Sequence, residues 1–285
     1  MLILNSSGPT HVSIVIATYN CLPLLRKSLA GLQRQWYPPD RCELVIADDG
    51  SSDGIHAYLS TTALLWPLKF TTHPHTCFRL ATSRNAGIHA ASHDVIIQLD
   101  GDIIPSSQLV AAHVRTLEAD PNCCSIGLRE YVDTADVSAE LIVSDFAAVE
   151  RAPRVASASN WHSSVDRRGP EFAGMSAHPA PYNVFHGCNV AYRKHHAIAA
   201  GLYDEDFNGA WGYEDTEFAY RLWRNGVRMH VTLDALGFHQ ENAVTSFEQR
   251  VEGDQRNFEL ACRKIPGFRE FKQALITNRR RPWWP

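Results

Sequence analysis

An apolar run, Val95-Ile96-Ile97-Gln98-Leu99, ends in Asp100-Gly101-Asp102, two carboxylates held one residue apart. Carboxylates at the end of a buried strand are hard oxygen ligands, which Mg²⁺ and Mn²⁺ take together with substrate phosphates. Gly101 removes side-chain bulk between them, so backbone and both acids could approach a diphosphate. The same tripeptide also occurs in ordinary acidic turns, and alone it does not separate the two readings. A second cluster, Glu214, Asp215 and Glu217, opens a helical pattern just after Trp211-Gly212-Tyr213. A carboxylate at a helix mouth can act as a general base. Acids also collect in first turns because the helix macrodipole favours them there. Asp48-Asp49 closes another apolar run, and His239 follows a strand pattern, where a structural histidine is the commoner case.

These residues need a scaffold that gathers them. β-branched runs at 12–17, 42–47, 68–72, 95–99 and 124–128 alternate with helical spacing at 22–35, 56–65, 80–91 and 106–117. Such alternation predicts an α/β fold with a mostly parallel sheet flanked by helices. Polar tips recur at the strand ends (Tyr19-Asn20, Asp48-Asp49, Asp100 to Asp102), which puts them on one rim, where open α/β sheets bind nucleotides. Neither a Gly-x-Gly-x-x-Gly nor a Walker motif is present, so phosphates are expected to be held through a metal.

Further on, helical spacing at 140–151 gives way to a Ser-, Ala-, Pro- and His-rich stretch at 152–181 with Trp161, His162 and His178. It reads as a surface loop or as a lid on the acceptor side. A strand over 184–193 interrupted by glycine, a helix over 214–224 stopped by Asn225-Gly226, and a strand over 227–232 follow. A polar helix at 246–262 is expected to wrap the outside. One catalytic domain is thus expected over 1–245, with a nucleotide half (1–129) and an acceptor-side half (130–245). Residues 246–285 form a helical extension and a basic, Trp-containing tail.

Composition narrows the function. The 285 residues carry a net charge of −4, which offers no general surface for nucleic acid. Seven cysteines in no Cys-x-x-Cys spacing argue against a zinc knuckle or a disulfide framework and favour a reducing, cytoplasmic setting. No apolar run reaches transmembrane length, and residues 1–10 lack a signal-peptide pattern. Arg279-Arg280-Arg281 beside Trp283-Trp284 would suit peripheral contact with an anionic membrane, or a solvated end.

Six stretches in order carry a family resemblance: Ala17-Thr18-Tyr19-Asn20, Asp48-Asp49-Gly50-Ser51, Arg84-Asn85-Ala86-Gly87, Asp100-Gly101-Asp102, Trp211-Gly212-Tyr213-Glu214-Asp215 and Phe238-His239-Gln240-Glu241. Over residues 12–242, outside 130–183, the chain resembles inverting glycosyltransferases of family 2 with the GT-A fold, of the chondroitin-polymerase and polypeptide N-acetylgalactosaminyltransferase type. The resemblance implies a UDP-sugar donor, a glycan or other hydroxyl acceptor, and Mn²⁺ or Mg²⁺. It implies that Ala17, Tyr19, Asp49, Arg79, Arg84 and Asp100 line the nucleotide site, and that Asp102 and His239 hold the metal. Asp215 would be the catalytic base, with Glu214 and Trp211 placing the acceptor and Gly187 and Asn189 near the donor sugar. Tyr213 stands where a second glycine is usual, which would narrow the acceptor pocket.

Two other functions compete. A sugar-nucleotide pyrophosphorylase would want a glycine-rich basic loop after the first strand, which Thr18-Tyr19-Asn20-Cys21-Leu22 is not. A non-catalytic nucleotide-sugar or glycan-binding protein would have no use for a base at Asp215.

Overall fold

The computed structural model describes residues 9–155, 178–240 and 247–277. Trp161, His162, Glu241 and the 279–285 tail lie outside the described residues.

Eight strands form one sheet in the order β3-β2-β1-β4-β7-β6-β8-β5. β1 (Val12–Thr18) and β2 (Cys42–Asp48) are buried along their whole length, as expected of strands covered on both faces. They run parallel to each other, to β3 (Leu68–Thr72) and to β4 (Val95–Asp100). The connections are α1 (Leu22–Leu32), α2 (Ile55–Thr61) and α3 (Leu80–Ala90). This register sets Thr18 beside Asp48 and Ala17 beside Asp100, so the polar tips do meet on one rim.

The α/β class stands, and beyond β4 the sheet becomes mixed. β7 (Asn189–Arg193) runs antiparallel to both β4 and β6 (Cys123–Val132), while β6 is parallel to β8 (Arg228–Gln240). β7 is shorter than the 184–193 strand expected, because residues 181–184 form a 3₁₀ turn. β8 is longer than expected, running through 233–235, and a register shift at Gly127/Leu128 absorbs the extra residues. Gly127 is needed there, since a Cβ would lie 2.2 Å from Asn189 Nδ2.

Two elements shape the site. Ile103–Pro105, where the sequence pattern predicts no element, is a strand, β5, antiparallel to β8 with Ile103 opposite His239. Three residues are too few to show a period. Downstream of α4 (Leu109–Ala119), α5 (Ala139–Ser144), α6 (Ala147–Arg151) and α7 (Lys194–Ala199), α8 (Glu214–Arg224) packs Phe218 and Leu222 into the core. That core also holds Ala261 of α9 (Phe247–Lys264), Ile265, and Phe268 at the start of α10 (Phe268–Thr277). α9 is therefore a packed element and does not merely wrap the outside. All seven cysteines are free thiols, and no helix among the described residues is long and apolar enough to cross a membrane.

Candidate active site

At the nucleotide end, the two adjacent acids of the β2 tip do different work. Asp48 pins its own turn, accepting from Gly50 N (3.0 Å), Ser51 N (2.9 Å) and Thr72 Oγ1 (2.7 Å). Asp49 faces the other way and accepts from Arg79 N (3.0 Å) and Arg79 Nε (3.1 Å). The Nδ1 atoms of His73 and His75 each lie 3.3 Å from its carboxylate. The His75 ring stacks on Tyr19, with centroids 4.0 Å apart and planes 15° apart. Gly50 permits this closure: at φ +77° it adopts a backbone that favours glycine, and a Cβ would meet His75 N at 2.4 Å. The structure thus brings Tyr19, Asp49 and Arg79 together as expected. It adds two histidines the sequence reading missed, signalled only by His73-Pro74-His75 after a short strand. Ala17 is enclosed at 4% exposure and contributes strand, with no side chain at the surface.

At the end of β8, the β5–β8 pairing brings His239 Nε2 to 3.8 Å from Asp102 Oδ1. His239 Nδ1 lies 2.9 Å from the Gln240 carbonyl. A carbonyl only accepts, so Nδ1 carries the proton and Nε2 presents its lone pair beside Asp102. A backbone carbonyl fixing the far nitrogen is the usual outer support of a metal-ligating histidine. One carboxylate oxygen and one imidazole nitrogen side by side could hold a divalent ion, and this mixed pair would suit Mn²⁺ better than the oxygen-seeking Mg²⁺. Gly101 serves packing here: a Cβ would lie 3.0 Å from Cys21 Sγ and 3.2 Å from Thr18 Oγ1, so its small size seats the turn on the β1 loop.

Between the two ends stands Arg84, only 2% exposed. Its Nη1 donates to Glu214 Oε1 (2.7 Å) and its Nη2 to Asp100 Oδ1 (3.0 Å), with the guanidinium 5.2 Å over the Tyr203 ring. Burial pulls the Arg84 pKa down, but Asp100, Tyr203, Glu214 and Asp215 outweigh it and hold it well above its ordinary value. Glu214 is pushed up to about 7, by burial first and then by the charge of Asp215, against the pull of Arg84. Two expectations change accordingly. Arg84, expected to line a nucleotide site, is enclosed between Asp100 and Glu214, and Glu214 faces Arg84 where an acceptor contact was expected.

Gly187 links this core to the base candidate. A Cβ there would lie 2.8 Å from Arg84 Nη2. Its N–H donates to Asp215 Oδ2 (3.0 Å), while its carbonyl accepts from Gln98 Nε2 (2.6 Å). Asp215 Oδ1 accepts from Thr216 N (2.7 Å), so both oxygens of this carboxylate are oriented. The rest of the Arg84 motif is structural. Asn85 clamps the Tyr203 backbone at 2.8 and 2.9 Å, and a Cβ on Gly87 would come within 2.4 Å of Val15.

Two more expectations are corrected. Asn189 is fully buried: its Oδ1 lies 3.0 Å from His113 Nε2 and its Nδ2 donates to Leu128 O and Ala235 O. It fastens β6, β7 and β8 and offers nothing to a donor sugar. Tyr213 does not narrow the cleft. It takes glycine's left-handed backbone (φ 67°) and packs its ring against Phe258 and Phe268. Trp211, on the same loop, is 40% exposed.

Among the described residues, Asp120, Cys123 and His230 also lie within mutual ligand distance, at the opposite end of the sheet. They do not suit a metal. Arg228 is paired with Asp120, and burial first, then the Asp120 charge, push the Cys123 thiol up to about 12.

The description "Glycosyl transferase family 2" matches residues 13–197, and "N-terminal domain of galactosyltransferase" matches 172–241. A chondroitin synthase of Escherichia coli is 31% identical over 274 residues, covering 93% of this chain and 40% of that protein. A validoxylamine A glucosyltransferase of Streptomyces hygroscopicus subsp. limoneus is 31% identical over 280 residues, 94% of this chain and 60% of that one. This chain therefore spans less than two thirds of the length of either relative. Among solved structures, S. aureus TarS 1-349 in complex with UDP-GlcNAc aligns with a TM-score of 0.60 at 14% identity, over 84% of this chain and 61% of that one. The mannosyltransferase PcManGT from Pyrobaculum calidifontis, in complex with GDP-Man and Mn²⁺, aligns with a TM-score of 0.56 at 21% identity, over 86% of this chain and 60% of that one. Those two likenesses speak for the fold, and the family match speaks for descent. On the match over residues 13–197, the chain belongs to glycosyl transferase family 2.

Proposed function

We propose that this chain is a metal-dependent, inverting glycosyltransferase that moves a hexosyl or N-acetylhexosaminyl group from a UDP-sugar to a hydroxyl of a glycan, lipid-linked glycan, peptide or metabolite. One observation carries the reading. The buried cation Arg84 ties Asp100 at the β4 tip to Glu214 at the head of α8, making the strand-end acids and Asp215 parts of one assembly. The nucleotide-sugar complexes of TarS and PcManGT support a donor of this class.

In this reading Tyr19, Asp49 and Arg79 meet the base. Asp102 and His239 would hold the divalent ion, which when bound supplies positive charge for the departing diphosphate. Asp215 takes the proton from the acceptor hydroxyl as that oxygen attacks the anomeric carbon. The bond from that carbon to the diphosphate oxygen breaks, and its electron pair leaves with the nucleoside diphosphate. Attack opposite the leaving group inverts the centre, and no second carboxylic acid is needed, unlike glycoside hydrolysis.

The test is nucleotide release from a panel of UDP-sugars and GDP-mannose with Mn²⁺, with and without EDTA. Release from one UDP-sugar, abolished by chelation, is the expected result. Absence of UDP binding overturns the proposal.

A further inference from the structure

The loop at 204–213, which carries Trp211 and leads into α8, holds few bonds of its own. It includes three residues with left-handed backbone: Gly209 (φ 90°), Gly212 (φ 103°) and Tyr213 (φ 67°). Its fasteners come from two sides. From the donor side, Phe78 O accepts from Gly209 N (2.6 Å) and Thr82 Oγ1 from Asn208 Nδ2 (2.8 Å). The other side is α9, which begins beyond the residues the family descriptions match.

The α9 contacts are specific. Asn257 is 0% exposed, and its Nδ2 donates to both Phe207 O (3.1 Å) and Ala210 O (3.0 Å). Its orientation is set by Arg256, whose Nη1 donates to Asn257 Oδ1 (2.8 Å) and to Asn208 O (2.9 Å). Lys264 Nζ reaches Asp204 (2.6 Å) and Asp206 (2.8 Å). One turn before Asn257, a Cβ on Gly253 would lie 3.1 Å from Trp211 N and 3.3 Å from Ala210 Cβ, so helix and loop touch through backbone. A buried amide saturated by two carbonyls of one loop is a device for holding that loop in a single shape.

We propose that α9 belongs to the acceptor side of the active site, with Asn257 and Gly253 as positioning residues that hold the Trp211 loop and thereby set Asp215 at the head of α8. The proposal rests on Asp215 as the base. Misplacing a reacting group by about 1 Å costs on the order of 10²-fold in rate.

Asn257→Leu keeps the size and removes both donors. Ala261→Gly is the control: it loosens the same helix and removes no hydrogen bond to the loop. Amide hydrogen exchange and donor turnover per UDP-binding site, counted by calorimetry, are measured on both variants and the wild type. Asn257→Leu is expected to speed exchange across 207–214 and to lower turnover per site by about tenfold or more with donor KM within about twofold. Ala261→Gly should lower the melting temperature and leave turnover per site unchanged. Exchange that is unchanged at 207–214 or that rises evenly along the chain overturns the proposal, as does turnover per site equal to wild type. If the wild type binds no UDP, the transferase reading fails separately, and the exchange arm still decides whether α9 holds the loop.

Discussion

At the β2 tip, the Asp49 carboxylate is fixed by Arg79, 30 positions away, while His73 accepts from Arg79 and His75 meets the Asp49 backbone carbonyl. At the α8 end, Glu214 is fixed by Arg84, 130 positions away, and Asp215 by the backbone of Gly187. The first end is built of successive strand-loop turns around a buried Asp49, with the side chain of its partner Arg79 reaching the surface. The second depends on a buried cation and on amides that meet only once the sheet has closed. Local assembly tolerates the loss of one side chain with a local effect, whereas a buried ionic core transmits the loss to every group it holds.

The sharpest way to break this contrast is Arg84→Met. It leaves Glu214 enclosed without its partner and frees Asp100, and removal of one member of a buried ion pair costs about 3–5 kcal/mol. Thermal unfolding should show that loss, while Arg79→Met at the nucleotide end should weaken UDP binding with a much smaller fall in melting temperature. Equal destabilisation by the two would erase the difference between the regions.

A pH series sharpens it further. His113 is fully buried against Ser125 and Asn189, and burial pushes its pKa down from 6.5 to about 4, against the Asn189 hydrogen bond. The folded state then binds fewer protons than the unfolded chain between those values. Stability from this group is complete above pH 6.5 and is lost as pH falls towards 4, by about 3 kcal/mol in all. Glu214 has the opposite slope: its pKa is raised, so the fold gains stability as pH falls from about 7 to 4.5. The difference in unfolding free energy between wild type and His113→Gln isolates the histidine, and a difference independent of pH would contradict its neutral burial.

A smaller effect is expected at the metal end. His239→Ala should weaken Mn²⁺ affinity by more than the about 10–100-fold that loss of an outer-shell partner costs, with little change in melting temperature, because the ring is part-exposed beside Gln240 O, Tyr131 and Asp102. Mn²⁺ titration followed by nucleotide release measures it. Unchanged affinity would remove His239 from the ligand set.

What could be read from sequence follows the same division. β1, β2 and β4 announce themselves by short, mainly apolar runs rich in Val and Ile, and the polar tips follow from chain alternation. Tyr19, Asp49 and Arg79 were legible because each sits at a tip or just before a helix. Arg84, Glu214 and Asn189 were misplaced for one physical reason: motif spacing says that a polar residue is required and is silent on whether it faces the cleft or the core. All three face inwards, each satisfied by partners distant in sequence. The strand β5 was missed because three residues carry no period, although it sets Asp102 beside His239. The two histidines beside Asp49 left only a trace, His73-Pro74-His75 after a short strand, and the tight contact of this loop with Gly50 shows only in the structure.

The central claim is that Asp215 is a base held at the edge of a nucleotide-sugar site. Asp215→Asn keeps size and removes the proton acceptor, and general-base loss lowers rates by about 10²–10⁴-fold. The decisive measurement pairs UDP calorimetry with donor turnover on this variant: UDP binding equal to wild type with turnover reduced to that extent is the predicted result, and turnover within about twofold of wild type would contradict it.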